Sequence, residues 1–205
     1  MKVLKQIKPT RLIFLIILLA GNTFAWFIYT SKVDGAISVH VKSWNVVFQA
    51  DDTQVSSNID IDVSSVYPGM DDYSFDVTAY NRSEVSATLS YKLLEVSILG
   101  NTYVTVEGRE ENGETPLDTD LTSAQLLNQL ANNYPFTITL SISGSQLSAQ
   151  NGEESCTLEV EWPYEQNDDE EDTRWGIMAA TYKENNPTLP SITMRVKLII
   201  TQNAS

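Results

Sequence analysis

Apolar and polar residues alternate along most of this chain with a period of two. The longest clean series covers residues 85–93, where every second residue is apolar. Because successive side chains of a strand point to opposite faces, this pattern predicts half-buried β-strands. The same alternation recurs in residues 37–41, 59–63, 73–79, 136–142, 156–162 and 192–200.

Short segments with Gly, Pro and Asn separate these runs, at residues 67–69, 80–83, 99–101 and 151–152. Such connections favour antiparallel neighbours. The sequence therefore predicts an all-β fold, an antiparallel β-sandwich of jelly-roll or Greek-key type with about eight or nine strands. The polar residues 107–120 contain Gly and Pro, and we expect them to form a long surface loop.

Two segments lack the alternation and predict short helical insertions. In residues 122–131, Thr122 or Ser123 would cap a helix whose apolar side holds Leu126, Leu127 and Leu130. In residues 173–183, Asp172 would be the N-cap of a helix. Its apolar side is predicted to hold Trp175, Met178, Ala179 and Tyr182.

The chain begins with the layout of a secretory signal. Four basic residues precede the unbroken apolar residues 12–20, and Thr23 and Ala25 stand at the −3 and −1 positions of a cleavage site before Trp26. Residues 1–25 would then be a signal peptide, and residues 26–205 a single extracellular domain. In the alternative interpretation residues 12–29 stay uncleaved as a membrane-anchor helix. In both, the basic start places the domain outside the cytoplasm.

Composition narrows the range of partners. The chain has a formal net charge of −14, and all 27 acidic residues follow residue 25, whereas four of the 13 basic residues precede it. Such an acidic surface disfavours nucleic acid and anionic lipid, so contact with a membrane is expected only through the N-terminal segment. Cys156, the single cysteine, is in phase with a predicted strand, which favours a buried core thiol over a nucleophile.

Catalytic motifs are missing from the sequence. His40 is the only histidine, which excludes the usual zinc-protease pair, and no Gly-x-Ser-x-Gly elbow is present. We therefore predict no enzymatic activity and no catalytic residue. The remaining candidates are carboxylates in loops, which suit calcium but also suit a solvated loop. The candidate calcium ligands are Asp71, Asp72, Asp168, Asp169 and Asp172.

Three segments resemble the TasA/camelysin family of Gram-positive surface and biofilm-matrix proteins. Residues 21–27, GNTFAWF, resemble its signal-peptide end, which a SipW-type peptidase recognises. Residues 66–77, VYPGMDDYSFDV, and residues 81–89, NRSEVSATL, are similar to two consecutive segments of the family. Residues 162–164 and 172–176, WPY and DTRWG, resemble a late element of related surface proteins.

The resemblance implies a jelly-roll subunit of an extracellular fibre, cut between Ala25 and Trp26. Its N-terminal segment would add as a strand to the next subunit. The apolar residues predicted to make up this assembly strand are Trp26, Ile28, Val33, Ile37, Val39 and Val41. Alternatively, residues 37–49 pair within their own domain. The expected partners are further copies or other matrix proteins. The alternative function is a membrane-anchored adhesion module that presents acidic, calcium-binding loops.

Overall fold

A computed structural model of the chain describes residues 44–164 and 169–203, which belong to one compact unit. Several predictions fall on residues outside these ranges. They are the signal or anchor helix, the cleavage site Ala25–Trp26, the assembly strand, His40 and Asp168.

In the part of the chain that the structure describes, ten strands form two antiparallel sheets. The first sheet has the order β2-β1-β4-β9-β7, and in the second β10 lies between β3 and β5, with β6 and β8 also pairing with β5. In chain order the strands are β1 (Val46–Ala50), β2 (Thr53–Val55), β3 (Asn58–Val63), β4 (Tyr73–Asn81), β5 (Ala87–Ile98), β6 (Asn101–Val104), β7 (Thr137–Ile142), β8 (Gln146–Leu147), β9 (Gly152–Glu161) and β10 (Ile192–Gln202). The prediction of a two-sheet, antiparallel, β-rich sandwich is confirmed.

The inward-facing residues of both sheets meet in one hydrophobic core. Strand β3 shows the relation between sequence and burial clearly, because Ile59, Ile61 and Val63 are buried while Asp60 and Asp62 are exposed. The pairing strand β10 buries every second residue from Ile192 to Leu198 in the same way. The period of two in the sequence therefore gives each strand one core face and one solvent face.

Strand β5 contains a bulge that the alternation does not reveal. Arg195 of β10 pairs with Glu95, but the next residue pairs with Leu93, so Leu94 is the extra residue. Leu93 and Leu94 are both buried. The carbonyls of these two leucines accept hydrogen bonds from the Thr105 hydroxyl, at 2.6 and 3.0 Å, and Ser123 donates to the Leu93 carbonyl at 3.1 Å. The backbone groups displaced by the bulge are thus satisfied by side chains.

Three helices occur among the described residues: α1 (Val106–Glu111), α2 (Ser123–Asn133) and α3 (Asp169–Asn185). Helix α1 corrects the first part of the loop predicted over residues 107–120, whereas residues 112–120 contain no helix or strand. It forms because the Thr105 side chain caps its first turn and Gly108 lets it lie against β5. Helix α2 is confirmed, with Thr122 and Gln125 forming a capping box.

Helix α3 is confirmed but begins earlier and is longer than predicted. It starts at Asp169, so Asp172 is not the N-cap but lies in the first turn and is buried. Trp175 and Ala179 face the protein as expected, whereas Met178 is exposed. Within residues 44–164 and 169–203, no helix is both long and apolar enough to span a bilayer.

Candidate functional site

One end of the sandwich brings together residues 162–164 and 172–176, the two segments that resemble a late element of surface proteins. The indole Nε1 of Trp162, just after β9, donates to Oδ1 of Asp172 in helix α3 at 3.0 Å. Trp162 is 1% and Asp172 6% exposed, and the second oxygen of Asp172, Oδ2, has no hydrogen-bond partner among the described residues. This buried bond connects the end of the first sheet to the first turn of the helix.

A line of aromatic rings continues from this bond. The ring centroids of Trp162 and Phe136 are 5.5 Å apart, those of Phe136 and Tyr134 5.2 Å, and those of Tyr134 and Trp175 4.8 Å. The Tyr134 hydroxyl lies 2.9 Å from the Tyr103 hydroxyl. Burial, and secondly this hydrogen bond, raise the pKa of Tyr134, so the phenol stays neutral. The helix is therefore held by well-packed aromatic contacts.

The turn at residues 67–70 lies against the same helix. Gly69 has φ +75°, and the Met70 N–H donates to the Tyr67 carbonyl at 3.1 Å, as in a type II turn with Pro68 in second position. The Gly69 N–H also donates to the Trp162 carbonyl at 2.8 Å. A Cβ on Gly176 of α3 would lie 3.3 Å from the Pro68 ring. The Pro-Gly motif therefore supports the helix by close contact.

Beside the helix, an apolar groove of about 360 Å³ lies between α3 and the turn that joins β5 to β6. Such a volume falls within the range of small-ligand pockets. The groove is lined by Leu99 and Tyr182 and by two exposed side chains, Ile177 (63%) and Met178 (44%). Asn101 and Asn185 add amide groups. This is the most apolar of the described cavities.

Leu99 shows that the groove wall is held in a strained conformation. It occupies the first position of a two-residue turn with φ +48°, followed by Gly100 with φ +83°. A left-handed conformation costs a branched residue such as leucine roughly 1–2 kcal/mol. Packing of the Leu99 side chain against the core compensates for this strain.

At the opposite end of the sandwich, Asn81 at the end of β4 and Ser83 just after it have a structural role. The buried Asn81 amide donates to the carbonyls of Val85 and Ser148 at 2.9 and 3.0 Å and accepts from the Ser83 N–H at 2.9 Å. The Ser83 hydroxyl binds the backbone of Asn45 on both its N–H and carbonyl sides. These residues fasten the β4–β5 loop to the point where the chain enters β1.

The described calcium candidates do not converge. Asp71 and Asp72 are exposed ahead of β4, Asp169 is exposed at the start of α3, and only Asp172 is buried. Among the residues that the structure describes, no group of three or more metal-ligating side chains lies together. Another acidic pair, Asp51 and Asp52, forms the tight turn between β1 and β2.

The single thiol lies in the core, as expected. Cys156 is 5% exposed on β9. Burial, and secondly the nearby Asp76, raise its pKa to about 11. A thiol in this state has almost no thiolate at neutral pH and is a poor nucleophile.

Comparisons with protein-family models, with curated proteins and with solved structures found no match for this chain. The groove residues Leu99 and Ile177 escaped the sequence analysis. The Leu99-Gly100 pair does indicate a tight turn that presents the leucine side chain. Ile177, by contrast, looks like any apolar helix residue until its exposure is known.

Proposed function

We propose that this chain is a secreted, non-enzymatic structural subunit of a bacterial cell-surface or biofilm-matrix fibre. Subunits would join when residues 26–41 of one copy add as a strand to a sheet of the next. The jelly-roll form of the sandwich and the relation to TasA-like proteins are parts of the same proposal.

The observation that carries the proposal is the presence of unpaired strand edges in a β-rich domain. Among the described strands, β3 and β7 pair on one side only, with β10 and β9. An exposed strand edge presents free N–H and C=O groups to which an extended segment can add. Addition of a strand needs no catalytic group, in keeping with the inert thiol of Cys156.

The entry of the chain into the domain also supports the proposal. Asn45 precedes β1 and is fastened by Ser83, with its N–H donating to the Ser83 hydroxyl at 2.7 Å. Residues 26–41 precede this anchored point in the sequence. A firmly held attachment would transmit tension from a bound strand directly into the first sheet.

The test is export of the full-length chain from a Gram-positive host and negative-stain electron microscopy of the recovered material. The variant Ile37→Asp/Val39→Asp/Val41→Asp places charges on the apolar side of the predicted strand, and we expect fibres to disappear. The matched control, Ser38→Asp/His40→Asp, changes the polar side and should keep them. Fibres that persist in the triple variant, or a wild-type protein that stays monomeric at high concentration, would contradict the proposal.

The groove beside α3 favours a second candidate, a membrane-anchored adhesion module. The exposed Ile177 and Met178 next to Leu99 give it an apolar surface where a ligand side chain could bind. N-terminal sequencing of protein recovered from cells separates the two candidates. A first residue Trp26 supports the released subunit, whereas Met1 supports the anchored module.

A further inference from the structure

A long part of this acidic chain carries no charge. Residues 121–152 contain no Asp, Glu, Lys or Arg, in a chain of which 20% is charged. They include helix α2 and strand β7. The exposed residues of α2 are alanines and amides: Ala124, Gln125, Asn128, Ala131, Asn132 and Asn133. We call α2 and β7 together the neutral face.

Among the described strands, β7 is also a sheet edge, paired on one side only. Its neighbour is β9, with Thr139 opposite Glu159 and Leu140 opposite Leu158. The Leu140 carbonyl accepts from the Tyr91 hydroxyl at 3.0 Å, so this carbonyl points away from β9. Because backbone direction alternates along a strand, Ile138 and Ile142 also direct their N–H and C=O groups outward.

The other described edges are less suited to pairing with the same edge of a second copy. Strand β3 exposes Asp60 and Asp62, and β2 has three residues beside the Asp51–Asp52 turn. Strand β6 has four residues, and a bridge between Thr105 and Leu121 follows directly after it. Charges and short length are the usual protection of sheet edges. Among the edge strands that the structure describes, only β7 combines six residues with an uncharged surface.

We infer that the neutral face is an interface between two copies of this chain, in which their β7 strands pair antiparallel about a two-fold axis. The chain is strongly acidic, so like charges oppose contact between copies, but α2 and β7 carry no carboxylate of their own. The carboxylates beside this face lie at its margins: Glu159 and Glu161 on the adjacent strand β9, Glu107 at the first residue of α2, and Glu154 at Ser143, just after β7. A symmetric contact needs a self-complementary surface, and a neutral strand edge is one. This inference does not depend on the proposed strand addition by residues 26–41.

The outward backbone groups favour one register. With Leu140 opposite Leu140 of the second copy and Ile138 opposite Ile142, all three outward residues of β7 pair, which gives about six backbone hydrogen bonds. The Leu140 carbonyl keeps its bond to Tyr91, since a carbonyl oxygen accepts two. On the solvent face, Thr139 of each copy then lies opposite Ser141 of the other. These hydroxyl-bearing pairs suit a cross-strand contact.

The test uses disulfide cross-linking between two full-length single variants, Thr139→Cys and Ser141→Cys, mixed and mildly oxidised. Both positions are exposed, so the fold should be kept. We expect a covalent dimer on a non-reducing gel from the mixture and much less from either variant alone. As a control, Ser74→Cys lies exposed on the interior strand β4 of the same sheet and should give no dimer with Thr139→Cys.

Charges added at the second Thr139–Ser141 pair test the register further. Adding Ser141→Asp to the first variant and Thr139→Asp to the second places two carboxylates opposite each other. The dimer yield should fall about two- to fivefold. When the second variant carries Thr139→Lys instead of Thr139→Asp, a lysine lies opposite the aspartate and the dimer yield should recover. A dimer that forms equally in all mixtures, or no dimer in the Thr139→Cys and Ser141→Cys mixture, overturns the inference. A β7-paired dimer leaves the edge of β3 for residues 26–41, and the triple Asp variant tests that addition separately.

Discussion

The indole of Trp162 and the carboxylate of Asp172 share a buried hydrogen bond of 3.0 Å that fastens helix α3 to the end of strand β9. The position of Asp172 in the first turn of α3 also suits its negative charge, because the N-terminal end of a helix is positive. Its other oxygen, Oδ2, has no partner among the described residues. The bond from the Trp162 N–H to Oδ1 is therefore the hydrogen bond on which this side chain depends.

Loss of the Trp162 donor should therefore be costly. Trp162→Phe leaves a buried carboxylate without a donor and opens a gap beside Phe136, and we expect a loss of about 2–4 kcal/mol in the free energy of unfolding. Urea denaturation measures this loss. Trp175→Phe, at a half-buried site, is the matched control and should cost less. If the bond is responsible, Asp172→Ala will cost less in the Trp162→Phe background than in the wild type. Equal costs in both backgrounds would contradict it.

Gly108 in helix α1 should not tolerate a side chain. A Cβ there would lie 2.1 Å from the Leu94 carbonyl oxygen, which belongs to the bulge of β5. We expect Gly108→Ala to destabilise the protein by about 2–3 kcal/mol, although alanine favours a helix over glycine. Gly176→Ala in α3 is the control, since its Cβ would lie 3.3 Å from Pro68, and it should change stability by less than about 1 kcal/mol. Similar urea midpoints for both variants would show that α1 does not lie tightly on β5.

The turn between β1 and β2 offers a stabilising change. Asp51 and Asp52 have φ of 47° and 60°, as in a type I′ turn, where Asp-Gly is a preferred pair. We expect Asp52→Gly to raise the free energy of unfolding by about 0.5–1 kcal/mol. Asp72→Gly removes the same charge from an exposed site without positive φ and should not stabilise. If both variants gain the same free energy of unfolding, the loss of a negative charge, and not the turn conformation, would explain the effect.

The sequence predicts those parts of the fold in which one local pattern determines one local structure. The alternation in residues 59–63 and 192–200 gave β3 and β10, because each of these strands has a core face and a solvent face. The three leucines of residues 122–131 similarly indicated α2. The pattern fails where tertiary contacts decide. Leu93 and Leu94 are both buried because of a bulge, and α1 has no apolar periodicity because it is held by Thr105 and Gly108.

The candidate site shows the same limit. Asp172 looked like an N-cap because acidic residues are common before helices, but its burial depends on Trp162, ten residues away in the chain. The exposure of Ile177 and Met178 depends on where the β5–β6 turn meets α3. No periodicity within the helix encodes that position. The sequence therefore indicated the helix, but not the groove beside it.

Acid should weaken the loop after α1. The Leu117 N–H, at 2.8 Å, and secondly Arg109 hold the pKa of Asp120 below its ordinary value. A lowered pKa in the folded state means that the carboxylate stabilises the fold above its unfolded pKa, and this stability is lost as the pH falls from about 4 through the lowered value. Asp120→Asn should thus be less stable than the wild type at pH 7, with the difference shrinking at pH 3. Melting temperatures across this range measure it, and Asp118→Asn, exposed in the same loop, is the control. A difference independent of pH would contradict this role of Asp120.

Cys156 should be almost unreactive until the protein unfolds. Its thiol is 5% exposed, and its pKa is raised to about 11 by burial and by Asp76. At pH 8 the thiolate fraction is then roughly a few hundredfold lower than that of a free cysteine with a pKa near 8.5. We expect a thiol reagent such as iodoacetamide to modify the native protein at least about 100-fold more slowly than the urea-unfolded chain. Native modification within about tenfold of the unfolded rate would mean that β9 opens locally, since only an exposed thiol can reach that rate.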